Sequence, residues 1–234
     1  MASVLPQTAS LSQGIHVPAL PPLYVAEEFQ LPGLIEHAGP VRELIEQRQK
    51  SGADRNDEVW DGVYHMSPIA NLAHQRIVRA LNFAFENILL GTAAEILAGA
   101  NLSDRPRAWY KNFRIPDLIV VLPGNAIQDR KTHYLGGPDL AVEVLSPDDD
   151  SVEKLPFYAK VGTREVLHVD TDTKALTLFA LRDGTLQVVG TSNFADSNVV
   201  ASSVLPVSFQ VLGDQAKPVL RVTHTAKSEQ NWTI

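Results

Sequence analysis

Two acidic residues standing alone in apolar runs constrain this chain more than any other feature. Asp117 opens the stretch Asp117-Leu-Ile-Val-Val-Leu122, and Glu143 sits inside Leu140-Ala-Val-Glu143-Val-Leu145. Runs this aliphatic belong to central strands covered on both faces. A carboxylate in such a setting persists only when it is paired, hydrogen-bonded or bound to a metal. For one acid, a strand-start cap or a buried arginine partner is the ordinary explanation. Two of them, 26 positions apart and followed by a lysine, point to a shared site if the strands are neighbours.

A divalent cation supplies what two such carboxylates need. Magnesium prefers oxygen ligands, keeps several waters, and takes one or two carboxylates plus a phosphate oxygen. Manganese is the expected substitute. The cation can activate water and stabilise charge on a phosphoryl group, and a nearby lysine can orient that water or offset developing charge.

Composition narrows the alternatives. The 234 residues suit one α/β domain with decorations. The chain has no cysteine, which excludes disulfides, thiolate metal sites and cysteine nucleophiles. No segment reaches the ~20 apolar residues of a membrane span, and the first forty residues hold no Lys or Arg, so a signal peptide lacks its basic start. The expectation is a cytoplasmic protein. The formal charge of −7 argues against broad, non-specific nucleic-acid binding while leaving room for a local basic groove. Walker A, Rossmann, HExxH and nucleophile-elbow strings are absent.

The pattern along the chain predicts a flexible arm over 1–22, a main domain over 23–172, and a β-rich C-terminal extension over 173–234 packed on the same domain. Residues 23–50 read as helical in pieces, with Val41, Leu44, Ile45 and Arg48 as an amphipathic set. Asp61-Gly62 interrupts a strand pattern around Val59 to Tyr64, as a turn or bulge would. Ile77, Leu81, Phe85 and Ile88 recur at helical spacing from about Asn71 to Leu90. Strands are expected near 93–102 and 115–122, then at Leu140 to Leu145. A helix near 151–161 follows, kinked or delayed by Pro156, and then the strand Glu165 to Val169.

In order and spacing, a series of residues resembles a known family. It runs Asp57-Glu58-Val-Trp-Asp61-Gly62, Met66-Ser67-Pro68, His74, Pro116-Asp117, Glu143-Val-Leu-Ser-Pro147, Lys154, Tyr158, Gly162, and Glu165 through Asp170. The pattern is similar to the family of bacterial proteins catalogued as putative restriction endonucleases, once a domain of unknown function, within the PD-(D/E)xK nuclease superfamily. The resemblance covers roughly residues 57–172. It implies an α/β restriction-endonuclease-like core with a mixed central sheet flanked by helices. It also implies a magnesium-dependent endonuclease hydrolysing DNA phosphodiester bonds, with Asp117 and Glu143 as metal ligands.

One departure stands out: two residues after Glu143 comes Leu145, not lysine. In the family the lysine lies on the following helix, so the role passes to Lys154, with Lys160 as the fallback. Glu58 is either a third acidic ligand or a strand-edge surface residue. His74 is either a structural histidine or a site residue that contacts substrate or orients Glu58. Asp148, Asp149 and Asp150 read as a loop and helix-start cluster, and Asp170 as a turn former.

The stretch Arg105-Pro-Arg107-Ala-Trp109-Tyr110-Lys111-Asn-Phe113-Arg114 has four basic residues and no acid. Arg105, Arg107, Lys111 and Arg114 are candidate nucleic-acid contacts, while the aromatics suit the core. A homodimer fits the symmetry of cutting both strands of a duplex. Two other readings remain. One is a nuclease-fold binding or regulatory protein with weak or no turnover. The other is a metal-dependent hydrolase of a different phosphate ester.

Overall fold

The computed structural model describes residues 38–67, 70–146 and 151–234. The expected N-terminal arm, the helical pieces before residue 38 and the Asp148–Asp150 cluster lie outside the described residues.

Helix α1 (Ala38–Ser51) buries Ile45 and leaves Leu44 exposed. A hairpin follows, formed by β1 (Glu58–Trp60) and β2 (Val63–His65). Its two central residues, Asp61 and Gly62, both take positive φ (46° and 92°). A primed two-residue turn requires this, and Asp-Gly supplies it with little strain. Helix α2 (Leu72–Ile88) is capped by Asn71, whose side chain accepts from the His74 amide at 2.9 Å. Replacing such a cap with alanine costs roughly 1 kcal/mol.

Short strands come next: β3 (Glu95–Ala98), β4 (Leu102–Ser103), β5 (Phe113–Arg114) and β6 (Leu118–Val121). The single strand expected over 93–102 is broken at Gly99, in the left-handed region with φ 65°. β3 and β4 therefore join different sheets. Strands β7 (Gln128–Asp129), β8 (Tyr134–Leu135) and β9 (Leu140–Leu145) precede a 3-10 turn over Ser151–Lys154. That turn runs into α3 (Leu155–Val161), with Pro156 in its first turn, where a missing amide is tolerated. The delayed helix start anticipated from Pro156 is what the chain adopts. Gly162 closes α3 at φ 85°.

Strands β10 (Glu165–Asp170), β11 (Leu176–Arg182) and β12 (Thr185–Ser192) complete the central sheet, whose order is β12-β11-β10-β9-β6-β3. Within it β9 and β10 are parallel, while β6 runs antiparallel to β9. A second sheet has the order β2-β1-β5-β4-β8-β7. The third comprises β13 (Val200–Ala201), β14 (Val207–Leu212), β15 (Val219–His224) and β16 (Lys227–Thr233).

The architecture is the mixed α/β arrangement expected, with a β-rich C-terminal sheet. One face of the central sheet packs Leu118, Val120, Leu140 and Val142 against Ile77, Leu81 and Phe85 of α2 and against Phe209 and Val222 of the C-terminal sheet. Its other face packs Ile119, Val121 and Ala141 against Phe157 and Tyr158 of α3. Phe85 is 1% exposed, and truncating such a ring to alanine costs roughly 3–5 kcal/mol. Among the described residues, no helix is long and apolar enough to cross a membrane.

Candidate active site

The pairing of β6 with β9 brings the two lone acids together. Leu118 lies opposite Val142 in the register, and one further step sets Asp117 opposite Glu143. The Val144 amide donates to Asp117 Oδ2 at 2.7 Å, bolting the start of β6 to β9. Alternation along β9 sends Leu140, Val142 and Val144 toward α2 and Ala141 toward α3. Glu143 has the parity of Ala141, so it turns to the α3 side.

There it meets Lys154 and Tyr158. Lys154 ends the 3-10 turn at the N-cap position of α3, and Tyr158 lies about one turn further along α3. Lys154 Nζ lies 3.3 Å from Glu143 Oε1 and 3.0 Å from Glu58 Oε1. The Tyr158 hydroxyl donates to Glu143 Oε1. Leu145 sits two residues beyond Glu143 on the same strand. The ammonium therefore comes not from the strand but from the turn that follows it, nine residues later. Lys160, the fallback, pairs with Asp104 Oδ2 at 2.6 Å and is 62% exposed, away from the cleft.

Glu58 reaches the site from β1. Its Oε1 accepts from the Ile115 amide at 2.7 Å, and its Oε2 accepts from Trp60 Nε1 at 2.6 Å. Both oxygens are thus engaged by donors of the chain. His74 projects from the first turn of α2, and its Nε2 lies 3.1 Å from Asp117 Oδ2. A carboxylate only accepts, so Nε2 carries the hydrogen. The sequence did not single out Asp117 as a partner of His74.

Burial pushes Glu143 up to about 8, with Asp117 and Glu58 adding to the shift and Lys154 opposing it. Burial disfavours the Lys154 ammonium, but Glu143 and Glu58 outweigh it and raise its pKa. Burial and the neighbouring acids raise the Tyr158 hydroxyl far above its ordinary range, so it stays a donor. The group is a buried cation between two carboxylates, beside a third carboxylate that reaches solvent: the Asp117 side chain is 24% exposed.

These side chains, Tyr158 apart, line a cleft of about 990 Å3. One wall is α2, the other the β1–β2 hairpin with Trp60, His65 and Met66. His65 stacks on Trp60 with ring centroids 3.9 Å apart.

The basic segment before β6 behaves differently from its sequence expectation. Arg114 is 4% exposed. Its guanidinium donates to the Val59 carbonyl and to Asn112 Oδ1, each at 3.1 Å, and sits 4.5 Å from the centres of the Trp60 and Phe157 rings. It is a core brace and not a surface contact, which corrects the candidate role. Its apolar neighbours Phe113 and Ile115 were the available signal. Arg105 lies near Asp61 and Asp104 (3.6 and 3.8 Å). Arg107 is exposed and Lys111 half-buried, and neither lines the cleft. Of the aromatics expected in the core, Phe113 is buried, whereas Trp109 and Tyr110 are half-buried and Trp109 stacks on His133. Asp170 caps a turn through Thr173.

Tyr158 is the site residue that sequence reasoning did not assign. An aromatic on an amphipathic helix reads as core. The clue was its spacing of four from Lys154.

A family model described as Uma2, putative restriction endonuclease, matches residues 42–214, about three quarters of the chain. No curated protein matches. Among solved structures, the crystal structure of a putative nuclease belonging to DUF820 from Anabaena variabilis is similar at 17% identity. That likeness covers 62% of this chain and 80% of the other, with a TM-score of 0.49.

Proposed function

This chain belongs to the Uma2 family, described as putative restriction endonucleases, and we propose on that premise that it is a divalent-metal-dependent endonuclease hydrolysing DNA phosphodiester bonds. The observation that supports this most is the convergence of Asp117 and Glu143 from adjacent strands, with the Lys154 ammonium 3.3 Å from Glu143.

The residues present fit a hard divalent cation. Asp117 Oδ2 is held by two donors, and Oδ1 has no partner among the described residues. Glu143, raised by burial and neighbouring acids, gains most from a cation that replaces its proton. Among the described residues, no three His, Asp or Glu side chains gather in a metal-holding cluster. Two carboxylates are sufficient for magnesium, which keeps several of its waters. Asp117 and Glu143 would hold magnesium, or manganese in its place. When bound, the cation supplies positive charge that stabilises the phosphate during displacement.

Hydrolysis adds a water oxygen to phosphorus and breaks one P–O ester bond. The departing oxygen takes up a proton and leaves as an alcohol. Lys154 keeps positive charge at the cleft floor, where it orients water and offsets charge on the phosphoryl oxygens. Glu58 fixes the ammonium, Tyr158 fixes Glu143, and His74 fixes Asp117. Fixed partners of this kind act without reorganising as charge develops.

The test is incubation of supercoiled and linear DNA with the full chain. Magnesium or manganese should support cleavage, and chelator should abolish it. Asp117→Asn and Glu143→Gln should remain folded and inactive. A wild-type chain that cleaves no DNA with either metal contradicts the proposal.

A further inference from the structure

The α2 wall of the cleft carries a row that the chemistry above does not use. Asn71, Gln75, Arg79 and Asn82 all line the cleft. Their spacing of three to four residues keeps them on one helical face. From Asn71 to Asn82 that face runs about 16 Å at 1.5 Å per residue.

The three amides on this row are already engaged. Asn71 caps the His74 amide, Gln75 donates to the Ala70 carbonyl at 3.1 Å, and Asn82 donates to Glu86 at 2.8 Å. Arg79 differs. It is exposed, lines the cleft and forms no ion pair among the described residues. The other Lys or Arg that lines the cleft, Lys154, is committed to Glu58 and Glu143.

An uncommitted guanidinium facing a cleft in a chain of net charge −7 marks where a negative ligand is wanted. The general field of such a chain does not draw in a polyanion, so a local cation must. Arg79 stands five residues beyond His74, about 7.5 Å along the axis. His74 is tied to Asp117, so the Arg79 backbone is offset from the acids along α2 by roughly one nucleotide step. That offset favours a phosphate next to the one being cut.

We infer that Arg79 grips a phosphate flanking the scissile one, so that the cleft takes a polynucleotide strand laid along α2 and not an isolated phosphodiester. This rests on the nuclease reading of the same site and specifies its substrate. Guanidinium suits the task because it presents several donors to phosphate oxygens in a fixed fork.

The test is binding of a fluorescein-labelled single-stranded oligonucleotide to the full chain in chelator, read by anisotropy across a salt series. Arg79→Ala should weaken binding about tenfold and flatten the slope of log affinity against log salt by about 0.7, the loss of one strand phosphate contact. Arg79→Lys should keep the slope. Arg76→Ala, an exposed arginine of the same helix that does not line the cleft, should bind as the wild type does. Unchanged affinity and slope in Arg79→Ala, or an equal loss in Arg76→Ala, overturns the inference, as does a wild-type chain that binds no oligonucleotide. Cleavage assays on the same proteins separate the two claims. Cleavage without Arg79-dependent binding overturns only this inference, whereas Arg79-dependent binding without cleavage overturns only the nuclease reading.

Discussion

Lys154 Nζ lies 3.3 Å from Glu143 Oε1, although the lysine belongs to a turn and the glutamate to a central strand. A lysine two residues after Glu143 would approach along the strand. Here Leu145 fills that position, and the cation returns from the segment leading into α3. The 3-10 turn and the late helix start at Leu155 set where it returns.

Removing that cation should be felt in both stability and activity. Lys154→Met leaves Glu58 and Glu143 buried without their shared partner. Breaking a buried pair from one side costs roughly 3–5 kcal/mol. Thermal melting should show a large drop. Cleavage should fall by about 100-fold or more, the scale for losing one preorganised charge.

Glu143→Gln should act in the opposite sense on stability. The amide keeps an acceptor for Tyr158, Lys154 keeps Glu58 as its carboxylate partner, and a buried charge that burial disfavours is removed. In chelator the variant should melt above the wild type, and it should show no manganese binding by calorimetry. A lower melting temperature would contradict the account of Glu143.

Acid should loosen the wall that carries Glu58. Asp57 is 4% exposed and accepts from Arg48 Nε and the Tyr64 hydroxyl, each at 2.7 Å, and from the Ser67 amide at 2.8 Å. Burial alone would raise its pKa, but these donors outweigh burial and lower it. A depressed folded-state pKa gives stability that is present above the ordinary carboxylate value of about 3.9 and lost as pH falls through the folded value. Urea midpoints should therefore drop between pH 5 and pH 3, and less steeply in Asp57→Asn.

Arg114→Ala should destabilise the chain by roughly 1–3 kcal/mol, through hydrogen bonds from a buried charged group. It should leave the salt slope of DNA binding unchanged. A flattened slope with unchanged melting would restore its surface role.

Much of this was legible because buried charge is expensive. Asp117 and Glu143 stood out as acids among aliphatics, and Leu140 to Leu145 is a strand over that same span. Helix α2 followed from the spacing of Ile77, Leu81, Phe85 and Ile88. The rest depends on three-dimensional neighbours that a one-dimensional pattern does not carry. Whether Glu58 meets a metal or a lysine is decided by residues 57 and 96 positions away, Ile115 and Lys154. Whether Arg114 faces solvent or Trp60 is decided by β5 pairing with β1. Setting Lys160 aside required knowing that its ammonium turns to Asp104.

Asp117 and Glu143 should hold one divalent cation between them. Crystals of the full chain soaked in manganese and measured at the manganese absorption edge test it directly. An anomalous peak is expected in bonding contact with both carboxylates, lost in Glu143→Gln. A clean map at high manganese, with Glu143 held only by Lys154 and Tyr158, would contradict it.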